Sequence, residues 1–126
     1  MKYEEVLLFE KVATQLQSFH SEMSVLVKKA PNDAVNKFKL DLINRSIQKA
    51  NLILKDRVPF DDFNGLDVDM VPSNSDVAIV LSQYINCLED IRKDNLRLHI
   101  GQWYWEIEDC EDNVKSYLPS RYITKH

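Results

Sequence analysis

The residues able to do chemistry in this chain of 126 are three histidines, two cysteines and a set of acids concentrated in two clusters. One cluster, Phe60-Asp61-Asp62-Phe63-Asn64-Gly65, alternates carboxylates with a turn glycine as a calcium loop does. With Gly65 in the turn position the first ligand is Phe60 and the twelfth is Val71, so the run reads as an Asp- and Asn-rich turn. A metal pair inside a bundle needs Glu-x-x-His, because that spacing aims both ligands inward. His20, His99 and His126 are instead preceded at that distance by Gln17, Leu96 and Ile123. His20 reads as a boundary side chain beside the first apolar seam. No HExxH or HxxxH follows, and no metal or other cofactor is predicted. A serine elbow is absent, and Cys87 and Cys110 both fall on apolar stripes, where a thiol packs as a small hydrophobe. The second cluster, Glu106, Glu108, Asp109, Glu111 and Asp112, is dense enough to read as a solvated face rather than an acid and base pair. No catalytic set is complete, and the chain leans away from being an enzyme.

One pattern points the other way. Arg92-Lys93-Asp94-Asn95-Leu96-Arg97-Leu98-His99 has the form R-x6-H at the start of the last predicted helix. It resembles the signature of the HEPN superfamily of small helical ribonucleases and nucleotide-binding modules, over these eight residues and the general helical layout. The resemblance implies that Arg92 steadies a scissile phosphate and His99 moves the proton of an attacking 2′-hydroxyl, with Asn95 and Arg97 as helpers. It also implies RNA as the partner and a symmetric dimer that joins two Arg92/His99 pairs in one cleft. Lys93 stands where the pattern carries a small polar residue, and six is its widest gap. The other reading of the same residues, helix-end charges beside a core-edge histidine, stays open.

Aromatic and charged residues suggest a different use. Trp103-Tyr104-Trp105 on a helix would point about 100° apart, so at least one must leave the seam. With Trp103 assigned to the stripe of Ile100 and Ile107, Tyr104 or Trp105 either packs under a loop or anchors an interface. Residues 1–57 carry a net +3 and residues 58–126 a net −7, a polarity that either cancels within one fold or guides association. The surface expected to bind a partner therefore comprises Trp105, Tyr104, Glu108 and Asp109, together with Phe63 in the 57–75 loop. Its partner is another protein, a second copy of the chain included.

Four helices are predicted to position these groups. From Tyr3 to Lys29 the apolar residues Phe9, Val12, Leu16, Phe19, Met23 and Leu26 recur every three or four positions. Pro31 suits the first turn of a second helix that runs to about Lys55, with Asn44, Gln48 and Asn51 beside a stripe holding Val35, Phe38 and Leu42. Asp56 to Ser75 breaks the period. At this length it should pack on the core or hold a short helix of its own. Ser73 with Asp76 marks the cap of a third helix, expected to be the most buried. Leu96, Ile100, Trp103, Ile107, Cys110 and Val114 suggest a fourth, ending before Pro119, with Gly101 as a propensity cost. The expected fold is an all-α antiparallel bundle of four main helices with one long, partly packed crossover loop. It forms a single domain over 1–119, with a mobile tail at 120–126.

Composition limits the function classes. Two glycines exclude glycine-rich phosphate loops, and a formal charge of −4 argues against a general nucleic-acid binder. The acidic start and the lack of any long apolar run predict no export signal and no membrane partner. Two cysteines without paired spacing suit a reducing cytoplasm. The expectation is a small cytoplasmic protein-interaction or regulatory module, with the HEPN-like ribonuclease or nucleotide-binding module as the alternative.

Overall fold

Capping chemistry sets where the helices begin. In the computed structural model, which describes residues 1–109 and 114–116, the Lys2 N–H donates to Glu5 Oε1 at the start of α1 (Tyr3–Lys29). Asn36 Oδ1 accepts from the Lys39 N–H to open α2 (Lys37–Leu54). The predicted Ser73–Asp76 box forms at the start of α3 (Asn74–Asp94), with both reciprocal bonds present at 2.9 and 3.1 Å. α2 thus starts six residues beyond Pro31. The connecting segment instead runs against the approach to α3, where the Val35 N–H donates to the Pro72 carbonyl and the Asn74 N–H to the Asp33 carbonyl. Asn74 Nδ2 also donates to the Ala30 carbonyl, which closes the last turn of α1.

The expectation of a four-helix all-α bundle is overturned. Three helices are followed by an antiparallel hairpin of β1 (Leu96–His99) and β2 (Gln102–Trp105), where the fourth helix was expected. The reason is a second periodicity in the same residues. As a strand pair, Leu96 faces Trp105 and Leu98 faces Trp103, which gathers four apolar side chains on one side of the hairpin. Arg97, His99, Gln102 and Tyr104 take the other side. A helix would have spread the aromatics around its circumference, whereas period two sorts them. Ile100 at φ 50° and Gly101 at φ 74° supply the two left-handed positions of a tight hairpin turn. Gly101 is therefore the residue the turn requires, not a cost within a helix. Residues 114–116 extend the sheet beside β2: the Trp105 N–H donates to the Val114 carbonyl and the Ser116 N–H to the Trp103 carbonyl.

α1 packs along both α2 and α3, and the core runs through Val6, Phe9, Val12, Leu16, Ile47, Leu81 and Tyr84. Each such side chain contributes about 1.5–3 kcal/mol on burial. α3 is the most buried helix, as expected, with eight of its 21 residues buried against six of 18 in α2 and six of 27 in α1, although Ile79 is 62% exposed. The long connection packs on the core through the asparagines beside the α2 stripe. Asn44 accepts from the Leu66 N–H and donates to the Leu66 carbonyl, while Asn51 donates to the Phe63 carbonyl and accepts from the Tyr84 hydroxyl. Short 3-10 turns lie at Lys55–Arg57 and Val68–Met70. Cys110, Glu111, Asp112, Pro119, His126 and the expected 120–126 tail lie outside the described residues.

Candidate functional site

Arg92, the first half of the R-x6-H pattern, ends up inside the protein. It sits in the last turn of α3 and is 4% exposed. Its Nε donates to Glu89 Oε2 at 3.0 Å and its Nη1 donates to Ser116 Oγ at 2.8 Å. Glu10 of α1 brings Oε1 to 2.5 Å from Nη1 as an ion pair. Phe9 and Trp105 cover the guanidinium, each ring centroid 5.2 Å from its carbon, and the two rings meet edge to face at 5.1 Å. Burial pushes the Glu10 carboxyl above its ordinary value; the Arg92 charge and contact oppose that rise, and the nearby Glu89 carboxylate adds to it. Trp105 Nε1 is buried here with no hydrogen-bond partner among the described residues. This cluster ties α1, α3 and the hairpin together.

His99 lies elsewhere. Trp105, which stacks on Arg92, is paired with Leu96 at the hairpin base, and His99 follows three residues later, about 10 Å further along the strand. His99 is exposed, beside Tyr104, whose ring also lies under Arg97. Asn95 closes α3: its Nδ2 donates to the Ile91 carbonyl, and its own carbonyl accepts from the Glu106 N–H. To touch a scissile phosphate, Arg92 would have to leave two carboxylates and two aromatic faces. The fold does not bring it and His99 together within one chain.

The residues expected to form a partner surface are also dispersed. Trp105, expected outward, is 2% exposed and belongs to the core, because strand alternation sends it to the same side as Leu96 and Leu98. Tyr104 is half-buried on the opposite side. Glu108 and Asp109 are exposed but tied to the start of α1: Asp109 Oδ1 accepts from the Tyr3 N–H at 2.7 Å, and the Glu108 N–H donates to the Met1 carbonyl. Phe63 packs with Phe60 and Tyr84. Tyr84 lies eight residues before Arg92, so the Phe63 and Trp105 clusters attach to α3 about 12 Å apart.

A different face is open, and sequence reading missed it. Phe38, placed by its periodicity in the core stripe, is 72% exposed, between the exposed Lys37 and Lys39 in the first turn of α2. It borders an apolar groove of about 250 Å³ with Phe19, Met23 and Leu26 of α1 and Leu42 and Ile43 of α2. On the other side of that turn, Lys37 and Asp41 share a cleft with Leu66, Asp67 and Val68. The chain then presents Met70 at 78% and Val71 at 63% exposure, with Val71 held at φ 51°, a costly setting for a β-branched residue. A signal for this face existed. The first turn of α2 carries two lysines and no acid, against the helix dipole, whereas α1 and α3 place Glu4, Glu5 and Asp76 there.

Among the described residues no group of three or more His, Cys, Asp or Glu side chains could hold a metal ion, and no helix is long and apolar enough to cross a membrane. Comparison with protein families, with curated proteins and with solved structures found no match for this chain.

Proposed function

We propose that the protein is a binding module that engages another polypeptide through the first turn of α2 and the adjoining 66–71 segment. The observation that carries this reading is the exposure of Phe38, Met70 and Val71 on a backbone that is itself pinned in place. Isolated exposed apolar side chains are ordinary, but an exposed ring beside an apolar groove, with two exposed aliphatic side chains on the adjoining segment and lysines and aspartates around them, has the make-up of an interface. Asn44 holds Leu66 by both its backbone groups, and Asp67 Oδ1 accepts from the Asp69 N–H, so the segment is ordered before any partner arrives. Preorganisation of this kind lowers the entropy lost on binding. A cytoplasmic location belongs to the same proposal, on the ground that two cysteines without paired spacing suit a reducing compartment.

Photo-crosslinking tests the reading. A photoreactive side chain at position 38 or 70, in the cell that makes the protein, should yield a discrete polypeptide adduct that is absent when the same group replaces Lys11, an exposed α1 residue. Equal adducts at all three positions, or none at 38 and 70, would contradict it.

A further inference from the structure

We infer that the polypeptide bound by this face is a second copy of the chain, in a two-fold dimer in which the Lys37-Phe38-Lys39 turn of each copy meets the Asp67–Val71 segment of the other. The inference rests on the binding face proposed above and adds the identity of what covers it. A two-fold interface uses one patch twice, so the patch must complement itself. This one does. One half is Lys37, Phe38 and Lys39, cationic with an exposed ring; the other is Asp67, Val68, Asp69, Met70 and Val71, anionic with exposed aliphatic side chains. The halves adjoin, because Lys37, Asp67 and Val68 line one cleft. A rotation that lays basic half on acidic half satisfies both contacts at once.

The four charges in the two halves form no ion pair among the described residues. Among the described residues, the ion pairs join Arg45 to Asp41, Arg57 to Asp94, Arg92 to Glu10 and Glu89, and the Met1 amine to Glu108. Lys37, Lys39, Asp67 and Asp69 take part in none of them. Two lysines at the positive end of a helix repel that end, and an opposing carboxylate pair from another copy reverses the sign of the contact. The groove beside Phe38 is apolar, and Met70, the most exposed apolar side chain of the acidic half, is long and adaptable enough to enter it.

The experiment is a charge exchange read by sedimentation velocity on the purified full-length chain. Wild type should be dimeric, with a dissociation constant that rises with salt. Lys37→Glu with Lys39→Glu makes the whole patch acidic. Asp67→Asn with Asp69→Lys makes it basic while keeping an oxygen acceptor for the 67–69 turn. Each double variant alone should weaken the homodimer by about tenfold or more. Mixed in equal amounts, the two should form a heterodimer, since each then meets its opposite. Circular dichroism of each variant confirms that the helices persist. A wild-type chain that stays monomeric at the highest concentration reached, a dimer indifferent to both variants, or a mixture that stays monomeric would overturn the inference. A monomer that still gives position-specific adducts to a different protein in cells would leave the binding face standing and remove only the second copy.

Discussion

Two non-helical segments dock on the same three helices, and they are held by different chemistry. The 58–73 connection is pinned by neutral amides: Asn44 and Asn51 bind the backbone at Leu66 and Phe63, and Tyr84 completes the set. The hairpin is pinned by ions and rings: Arg92 joins Glu10, Glu89 and Ser116 beneath Phe9 and Trp105. The amides do not titrate, burial pushes the Tyr84 hydroxyl above its ordinary value, and the set leaves the outer side of the connection free to present Val68, Met70 and Val71. A buried ion cluster is costly to break and sensitive to protonation, and its hairpin turns Trp105 inward. One segment is arranged for presentation, the other for closure.

The sharpest way to break this contrast is Arg92→Met. It removes the cation from a site that then retains two partly or fully buried carboxylates, a loss of about 3–5 kcal/mol. Urea unfolding should show that loss, and hydrogen exchange should accelerate across β1 and β2 while the amide of Leu66 stays protected. Asn44→Leu should do the reverse at smaller scale. It leaves the Leu66 N–H and carbonyl unpaired, at about 1–3 kcal/mol, and speeds exchange at 66–71 without touching the hairpin. Gly65→Ala should act in the same place more weakly, by about 1–2 kcal/mol, because the new Cβ would stand 2.8 Å from Asn44 Oδ1 at φ 150°. A stability curve unchanged by Gly65→Ala would show that the asparagine clamp yields freely.

The smallest expected effect concerns pH. Burial raises the Glu10 carboxyl above the ordinary 4.5, so the folded chain holds that proton more tightly than the unfolded one. The stability this provides is full below the ordinary value and is lost as pH rises through the raised one. Glu10→Gln should therefore flatten this part of the profile and gain most relative to wild type at neutral pH and above, as read by Tm in buffers from about pH 4 to 8. A wild-type advantage that grows with pH would mean that the Arg92 attraction outweighs the burial cost.

These contrasts also show how far the amino-acid sequence was legible. The three helices and the Ser73–Asp76 cap were readable, because heptad-like spacing and reciprocal capping are local properties. So was the polar side of α2 at Asn44 and Asn51, although only the fold reveals that its partner is loop backbone. The hairpin was misread because Leu96, Ile100, Trp103 and Ile107 fit a helical period while Leu96-x-Leu98 and Trp103-x-Trp105 fit a strand. Ile100-Gly101 as a left-handed turn decides between them. Strand alternation places Trp105 in the core, where a helical period places it at the surface. The hairpin also separates Arg92 from His99, since a strand advances about 3.3 Å per residue where a helix advances 1.5 Å. Phe38 was misplaced for a different reason. Its period is right for the α2 stripe, but α2 starts at Lys37, and a side chain in the first turn has no preceding turn to pack on.

Hydrogen exchange followed by mass spectrometry, on the wild-type chain at low and high concentration, tests most directly the division between a presenting segment and a closing one. The account predicts that amides at 37–39 and 66–71 slow as concentration rises, while those of β1 and β2 exchange at one unchanging rate. Slowing confined to the hairpin, with the 66–71 amides indifferent, would contradict it.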